Sequence, residues 1–357
     1  MTESNDPPSI SDASLATLRG VREKEIAQSL QSVTALLVQR MPQHLPIIPE
    51  SVNWHATSES MAQGGSLIAA VVADAPGQEG IFTPGERKIV IAKVLPGLNE
   101  NDRDWRNREI AQTKRAGRAV PIGVVQTLAI SLMKSGDSMG LLVSKWYPRG
   151  SLREVLLNGT MTREQILSFV ERSGDALTTL HALNPDPIYH KDVKPANFLV
   201  NVKGEADLAD FDMASTVWKG DTFGTPPYAS PETLLSVATK GKSDVFSWNT
   251  MVYQMIAGNL RQSPYPGYDA RHTSLNQQQR SNRVNTLRLI HEAGLRPTSE
   301  WIYAPIVSTQ DLEQRGFTPH TIKAVNEVLE QGLSLIEDKR PTMPDSTLQM
   351  AEALSLT

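Results

Sequence analysis

Short apolar runs separated by turn-forming residues dominate the region between residues 51 and 148. Strands are predicted at residues 66–73, 89–95, 124–133 and 141–146, where branched and other apolar side chains are concentrated. Proline, glycine, serine and aspartate cluster between these runs, as is typical of turns. One helical pattern, over residues 102–116, interrupts the strands. The region is therefore predicted to be a small lobe built mainly from β-strands.

Helical periodicity prevails on either side of this region. Apolar residues recur three, four or eight residues apart over residues 13–40 and predict an amphipathic helix, which the prolines between residues 41 and 50 end. Residues 1–12 are polar and are predicted to be a disordered tail. Further helices are predicted over residues 163–183, around 320–335 and over 343–355.

The order of these patterns divides the chain into three predicted parts. Residues 1–50 form an N-terminal helical extension, residues 51–147 a β-rich lobe and residues 148–357 a larger helical lobe. A chain of 357 residues is longer than a typical single domain, so two lobes with separate cores are expected. The predicted fold class is α+β.

Composition narrows the function classes. The chain is 39% hydrophobic and 21% charged, has no run near the roughly 18 apolar residues of a membrane span, and begins without a secretory leader pattern. We therefore expect a soluble, cytoplasmic protein, with export as an effector left open. Absence of cysteine excludes disulfides and thiolate chemistry. A net charge of −4, with lysine and arginine spread along the chain, predicts no nucleic-acid partner.

The stretch from residue 187 to residue 212 concentrates chemically useful side chains. Two apolar runs, at residues 198–200 and 208–209, flank the turn signal Lys203-Gly204-Glu205 and predict a β-hairpin. The polar side chains around it are His190, Asp192, Lys194, Asn197 and Asp210. Such a hairpin would carry two acids, an amide and a lysine on one loop system.

Phosphoryl transfer from a magnesium nucleotide is the chemistry that needs this set. It depends on positioning and charge neutralisation, so the useful groups are Mg²⁺ ligands, a base that orients the hydroxyl and a cation for the phosphate. Asn197 and Asp210 suit the metal, because Mg²⁺ takes oxygen ligands and only one or two carboxylates. Asp192 then suits the base and Lys194 the cation. The alternative is that these residues only cap turns, as Asp and Asn often do.

Two segments resemble the catalytic loop and the metal-binding segment of eukaryotic-type (Hanks-type) Ser/Thr protein kinases. The family patterns His-Arg-Asp-x-Lys-x-x-Asn and Asp-Phe-Gly correspond to His190-Lys191-Asp192-Val193-Lys194-Pro195-Ala196-Asn197 and Asp210-Phe211-Asp212. The chain departs from them at Lys191 and Asp212, of which Asp212 is expected to be tolerated because Asp adopts left-handed backbone more readily than most residues. The resemblance implies a bilobal kinase fold with a small β-rich N-lobe and a larger helical C-lobe, and ATP and Mg²⁺ as cofactors.

The resemblance also implies nucleotide-binding residues in the first lobe. Lys93, in the run Val90-Ile91-Ala92-Lys93, resembles the strand lysine that holds the α- and β-phosphates, and Glu109 resembles its helix partner. Glu100 and Asp104 are the alternatives to Glu109.

The glycine loop and the adenine-binding hinge are also implied. Gly65 matches the last glycine of the loop, while Ser60 and Ala62 occupy the other glycine positions. The hinge and the residue that guards the pocket behind it correspond to Lys145, Trp146, Tyr147 and Ser144.

The segment Gly224-Thr225-Pro226-Pro227-Tyr228-Ala229-Ser230-Pro231-Glu232 resembles the end of the kinase activation segment. By this resemblance Glu232 pairs with Arg340, and Asp244 accepts hydrogen bonds from the catalytic-loop backbone. Lys194 together with Thr225 is the Ser/Thr pattern. Lys191 stands where an arginine often grips an activating phosphate, and Asp221 or a phosphorylated Thr222 is its expected partner.

Three functions remain open at this point. An active Ser/Thr protein kinase with protein substrates and autophosphorylation is favoured, because Lys93, Asp192, Asn197 and Asp210 are all present. A pseudokinase scaffold is suggested by the poor glycine loop and by Asp212. A small-molecule phosphotransferase shares the Asp and Asn of the catalytic loop. This alternative is disfavoured, because such enzymes lack the peptide-docking segment that residues 224–232 resemble.

Overall fold

In the computed structural model of this protein, seven strands and eight α-helices follow one another along the described residues. These residues are 53–63, 66–74, 87–95, 100–133, 139–145, 147, 149–215, 225, 227–235, 240–265 and 303–356. The helix predicted over residues 13–40 lies outside them, as do Gly65, Trp146, Asp221 and Thr222.

Five strands form one antiparallel sheet. They are β1 (Asn53–Gln63), β2 (Ser66–Asp74), β3 (Arg87–Leu95), β4 (Thr127–Met133) and β5 (Met139–Lys145), in the spatial order β1-β2-β3-β5-β4. Strands β2, β3 and β5 confirm the runs predicted at residues 66–73, 89–95 and 141–146, and β4 confirms residues 127–133 of the run predicted at 124–133. Strand β1 was not predicted, because its many polar residues obscure the alternation of apolar and polar positions that is typical of a strand.

The sequence prediction covers four helices, near residues 102–116, 163–183, 320–335 and 343–355, and the structure has eight in its described residues. They are α1 (Glu100–Ala119), α2 (Leu152–Asn158), α3 (Arg163–His181), α4 (Pro231–Leu234), α5 (Lys242–Ala257), α6 (Gln310–Gln314), α7 (Pro319–Gly332) and α8 (Met343–Ser355). Ser151 caps α2 in a capping box with Glu154. Thr162 and Gln165 begin α3 in the same way.

Helix α5 lies at the centre of the helical core, and nearly all of its residues are buried. Trp248 on this helix donates its indole N–H to the hydroxyl of Ser173 on α3 at 2.9 Å. Helix α8 approaches α3 closely at Gly174, where a Cβ would lie 2.2 Å from Thr347 Oγ1. The glycine therefore allows α3 and α8 to pack at this distance, which fixes the helix that precedes the polar loop.

The predicted hairpin around residue 203 is confirmed. Strands β6 (Phe198–Val200) and β7 (Ala206–Leu208) pair antiparallel, with Phe198 opposite Leu208. Leu208 also forms a parallel bridge with Val124, through hydrogen bonds from Val125 N to Leu208 O and from Leu208 N to Gly123 O. The prediction that the strand begins at residue 124 is wrong, because β4 begins at Thr127 and residues 124 and 125 contact β7 instead.

The described chain divides into two compact units. One contains β1 to β5 and the start of α1 up to Arg103, and the other contains residues 104–126 and the described residues from Tyr147 onward. The domain boundaries after residues 50 and 147 stay a prediction. Within the described residues, no helix is both long and apolar enough to span a membrane.

Candidate active site

Asp192 lies in the loop between α3 and β6, and its buried carboxylate is held from both sides. Oδ2 accepts hydrogen bonds from Lys194 Nζ at 2.6 Å and from Asn197 Nδ2 at 3.1 Å. Oδ1 accepts hydrogen bonds from the backbone N–H and the hydroxyl of Thr225 at 3.0 and 2.8 Å. Lys194 Nζ also donates to Thr225 Oγ1 at 2.8 Å. An acid, a cation and a hydroxyl therefore meet at one point, as the sequence pattern suggests for the first two.

Asn197 ends the 3-10 turn Pro195–Asn197, and Asp192 orients its amide. Its Nδ2 donates to the backbone carbonyl of Asp192 at 2.8 Å and to Oδ2 of the same residue at 3.1 Å. Because both partners are acceptors, the carbonyl oxygen Oδ1 is the atom that Asn197 can offer to a cation.

A magnesium ion fits the oxygen donors of this loop. Asn197 O accepts the backbone N–H of Ala209 at 2.7 Å, which ties the amide-bearing turn to the residue directly before Asp210. An amide oxygen and a carboxylate are hard ligands of the kind that Mg²⁺ takes, with water and phosphate completing its shell. The described residues hold no cluster of three or more His, Cys, Asp or Glu suited to a metal.

Asp210 adopts left-handed backbone, with φ of 66°. Such a conformation is uncommon for a non-glycine residue and persists where the surroundings impose it. The preceding residues are fixed on both sides: Leu208 by the bridge to Val124, and Ala209 by the bond to Asn197 and by His190 Nε2, which donates to Ala209 O at 3.0 Å.

Asp212 does not need the conformation that favours glycine. Among the described residues, the non-glycine residues with positive φ are Lys191 and Asp210. The expectation that Asp212 relies on tolerance of left-handed backbone is therefore wrong, since the residue avoids that region altogether. Its replacement of the family's glycine costs no backbone strain of this kind.

Asp244, near the start of α5, holds the catalytic loop through hydrogen bonds to its carboxylate. Its Oδ2 accepts the backbone N–H of His190 and the ring Nε2–H of His181, and its Oδ1 accepts the backbone N–H of Lys191, each at 2.8 Å. Burial acts to raise the pKa of Asp244, but the hydrogen bond and charge of His181 and the other donors outweigh it and lower the pKa overall. The role expected for Asp244 is confirmed.

Glu232 and Arg340 form a fully buried, two-pronged ion pair, which confirms their predicted pairing. Arg340 Nη1 and Nη2 donate to Oε1 and Oε2 of Glu232, both at 2.6 Å. Ser243 Oγ donates to Glu232 Oε1 at 2.8 Å, and the guanidinium lies over the ring of Phe246. Helix α4 and the end of the 224–232 segment are thereby fixed to the C-terminal part of the chain.

Lys191 has a partner on the segment that follows Asp210. Its Nζ donates to Ser215 Oγ, and the backbone of Ser215 pairs in both directions with Tyr189. The pairing of Lys191 with Asp221 or phosphorylated Thr222 involves residues outside the described ones and stays a prediction.

The remaining nucleotide-binding candidates lie on separate elements. Lys93 stands on β3 opposite Ile68 and Leu142, and Ser144 and Lys145 end β5 opposite Ile91 and Val90. Glu109 is buried on α1. Lys93 belongs to the first compact unit and Glu109 to the second, so their pairing stays a prediction. Gly65 and Trp146 lie outside the described residues.

Tyr147 is buried beside two polar residues that the sequence analysis missed. Its hydroxyl donates to Asp207 Oδ2 at 2.6 Å, while Arg172 Nε and Nη2 contact Asp207 Oδ1 at 2.7 Å. Burial, and then the hydrogen bond to the Asp207 carboxylate, raise the pKa of Tyr147 strongly. An aspartate within a strand run is an unusual choice and was the available signal.

Comparison with known proteins gives a consistent picture. A family model described as "Protein kinase domain" matches residues 78–350. The chain is 32% identical over 129 residues to the leucine-rich repeat receptor-like protein kinase PEPR1 of Arabidopsis thaliana, covering 33% of this chain and 11% of that protein.

The chain is also similar to two further proteins of Arabidopsis thaliana, each over a different aligned length. Serine/threonine-protein kinase 12 is 31% identical over 127 residues, which is 34% of this chain and 28% of that protein. Wall-associated receptor kinase-like 10 is 27% identical over 217 residues, which is 56% of this chain and 28% of that protein. The chain thus spans less than a third of the length of each of these relatives. The matched family confirms the resemblance drawn from the catalytic-loop motifs.

Proposed function

Because this chain belongs to the protein kinase domain family, we propose that it transfers the γ-phosphoryl group of Mg-ATP to Ser and Thr hydroxyls of protein substrates, including its own. The observation that carries the proposal is the set of contacts joining Asp192, Lys194, Asn197 and Thr225. A bilobal arrangement, a cytoplasmic location and independence of nucleic acid are parts of the same proposal.

Asp192 is the proposed base. Its two oxygens are fixed by separate donors, so the carboxylate cannot rotate freely and can accept a proton from a hydroxyl in one direction. Thr225 supports this orientation and gives the proposal its Ser/Thr character. Lys194, which reaches both residues, is the cation proposed to lie beside the transferring phosphate.

Asn197 and Asp210 are the proposed metal ligands. When bound, Mg²⁺ would neutralise charge on the phosphate oxygens and hold the nucleotide in place. The protein contributes by orienting Asn197 through Asp192 and by fixing the backbone before Asp210. Lys93 and Glu109 are proposed to hold the α- and β-phosphates as a pair. Gly65 and the stretch from Ser144 through Lys145 and Trp146 to Tyr147 are proposed to contact the rest of the nucleotide.

A pseudokinase scaffold is the second candidate. Ser60 and Ala62 stand at positions where the family keeps glycine, and both are paired along β1 and β2, opposite Ala69 and Leu67. Side chains there leave the backbone less free to approach phosphates closely. This reading predicts nucleotide binding without turnover.

A transfer assay separates the two functions. The purified chain is incubated with γ-labelled ATP and a generic protein substrate, with Mg²⁺ or with excess EDTA, and the labelled sites are mapped by mass spectrometry. The proposed function predicts Mg²⁺-dependent label on Ser and Thr of the substrate and of the chain itself. Binding of ATP with no label on any protein would favour the scaffold.

A further inference from the structure

A chain of hydrogen bonds joins Arg172, Asp207 and Tyr147, and none of the roles proposed above uses it. Asp207 is buried on β7, and each of its carboxylate oxygens has its own partner. Oδ1 accepts the guanidinium of Arg172 at 2.7 Å, and Oδ2 accepts the hydroxyl of Tyr147 at 2.6 Å. The cation therefore holds the carboxylate in the orientation that the phenol requires.

Tyr147 is fixed at both its side chain and its backbone. Its ring is buried, its hydroxyl is held by Asp207, and its carbonyl oxygen accepts the N–H of Gly150 at 3.0 Å. Gly150 has a positive φ of 70°, and its own carbonyl accepts the N–H of Val200 at 2.8 Å. With its side chain and carbonyl both held, the position of the Tyr147 backbone nitrogen on its tetrahedral Cα is fixed as well.

The same strand that anchors Tyr147 leads directly to Asp210. Asp207 pairs with Leu199 across the β6–β7 hairpin, and Leu208 and Ala209 continue from it to the left-handed residue at position 210. One carboxylate on β7 thus fixes a residue of the proposed hinge, while the strand itself positions the proposed metal ligand.

We propose that Asp207, oriented by Arg172, is a positioning residue for the nucleotide: it fixes Tyr147 so that the backbone N–H of this residue is presented to an acceptor nitrogen of the adenine ring. The inference rests on the proposed function, since it concerns the base of the same nucleotide. It adds two residues, Arg172 and Asp207, that take no part in phosphoryl transfer and act through Tyr147.

Stability alone gives weak grounds for this arrangement. Burying a charged pair costs desolvation, and well-packed apolar residues of similar volume often stabilise a fold equally well or better. A directed bond to a phenol, in contrast, sets one orientation of one residue, which is what recognition of a planar base needs.

Separate probes for the two ends of ATP test the proposal. The dissociation constants of adenosine, and of inorganic tripolyphosphate with Mg²⁺, are measured for the wild type and for Tyr147→Phe by isothermal titration calorimetry. Tyr147→Phe removes the hydroxyl and keeps the ring. Tyr265→Phe is the matched control, because Tyr265 is also buried and its hydroxyl donates to Leu333 O at 2.7 Å.

The proposal predicts that Tyr147→Phe weakens adenosine binding about threefold to tenfold, as expected for one lost orienting bond, and leaves tripolyphosphate binding unchanged. Tyr265→Phe should change neither constant. Equal adenosine affinity in Tyr147→Phe and the wild type, or equal weakening of both probes, would overturn it.

Arg172→Gln provides a second, independent variant. The Arg172 side chain is 22% exposed, so its loss is tolerated more easily than a change in the core, and it should weaken adenosine binding in the same selective way. Unchanged adenosine binding in this variant would also count against the proposal. A wild-type chain that binds neither ATP nor adenosine would overturn the proposed function together with this inference. A wild type that phosphorylates substrate, beside variants that bind adenosine normally, would overturn the inference alone.

Discussion

Thr225 donates both its backbone N–H and its hydroxyl to a single oxygen of Asp192, at 3.0 and 2.8 Å. The second oxygen of the carboxylate is held by Lys194 and Asn197, so four donors on three residues determine its orientation. A threonine far along the chain thus completes the setting of the proposed base.

Removing the Thr225 hydroxyl should slow catalysis. Thr225→Val keeps the shape and the backbone N–H but removes the bonds to Asp192 and Lys194, so we expect turnover to fall about tenfold, in line with the loss of a hydrogen bond to a charged group. The Michaelis constant for ATP should change little. Thr225→Ser keeps the hydroxyl and is the control, and equal turnover in Thr225→Val and wild type would contradict the role.

The Glu232–Arg340 pair predicts a specific dependence of stability on pH. Burial acts to raise the pKa of Glu232, but the charge and hydrogen bond of Arg340 outweigh it and hold the pKa below its ordinary value of 4.5. The folded state then binds fewer protons than the unfolded state, so stability is present above the unfolded pKa and is lost as pH falls from 4.5 through the folded pKa.

Glu232→Gln should reveal this dependence in urea unfolding at a series of pH values. At neutral pH the variant leaves a buried guanidinium without its counter-charge, which costs about 3–5 kcal/mol. The difference from wild type should shrink as the pH falls below 4.5, because protonation removes the wild-type carboxylate charge as well. Glu352→Gln, at an exposed position on α8, is the control and should follow the wild type. A difference that is constant with pH would refute the account.

Asp244→Asn should weaken the hydrogen bonds that hold the backbone of the catalytic loop. The carboxylate accepts three hydrogen bonds, and an amide would turn one of its N–H groups toward a donor. We expect a loss of about 2–4 kcal/mol in the free energy of unfolding, and lower turnover because His190 and Lys191 directly precede Asp192. Asp175→Asn, at an exposed site on α3, should leave both quantities unchanged. Normal turnover in a folded Asp244→Asn protein would show that the loop does not depend on this support.

The two aspartates at positions 210 and 212 should respond differently to substitution. Asp210→Asn keeps a side chain that tolerates left-handed backbone, so the fold should persist while Mg²⁺-dependent binding of ATP is lost. Calorimetric titration of ATP with and without Mg²⁺ measures this effect. Wild-type affinity in Asp210→Asn would contradict the metal assignment.

Asp212→Gly should have a small effect, because residue 212 avoids the left-handed region. Turnover in the labelled-ATP assay should stay within about tenfold of the wild type, since the added backbone freedom costs only about 0.5–1 kcal/mol. A gain of about a hundredfold or more, on the order of 3 kcal/mol, would indicate that Asp212 impairs the site and would support the scaffold function.

The parts of the site that the sequence predicts are those whose residues lie in short sequence motifs. Asp192, Lys194 and Asn197 lie within residues 192–197, so their short spacing alone places them together. Glu232 and Arg340 are far apart in sequence, and only the family resemblance identified them as a pair.

Other features depend on contacts that no local pattern records. The Tyr147–Asp207–Arg172 chain joins three separate elements, and the hydrophobic pattern around Asp207 indicates a strand without indicating what its carboxylate binds. Val124 reads as the start of a strand because it is apolar and branched, yet it pairs with Leu208 rather than with β5. Strand β1 was missed because pairing with β2, not an apolar alternation, defines it.

The turnover of Asp192→Asn under saturating Mg-ATP tests the central claim most directly. Asp186→Asn, an exposed aspartate shortly before the same loop, is the matched control. The account predicts that Asp192→Asn loses turnover by about a hundredfold or more while ATP affinity stays near that of the wild type, because the residue orients the substrate hydroxyl and does not hold the nucleotide. Asp186→Asn should be fully active. Undiminished phosphorylation of Ser and Thr by Asp192→Asn would contradict the account.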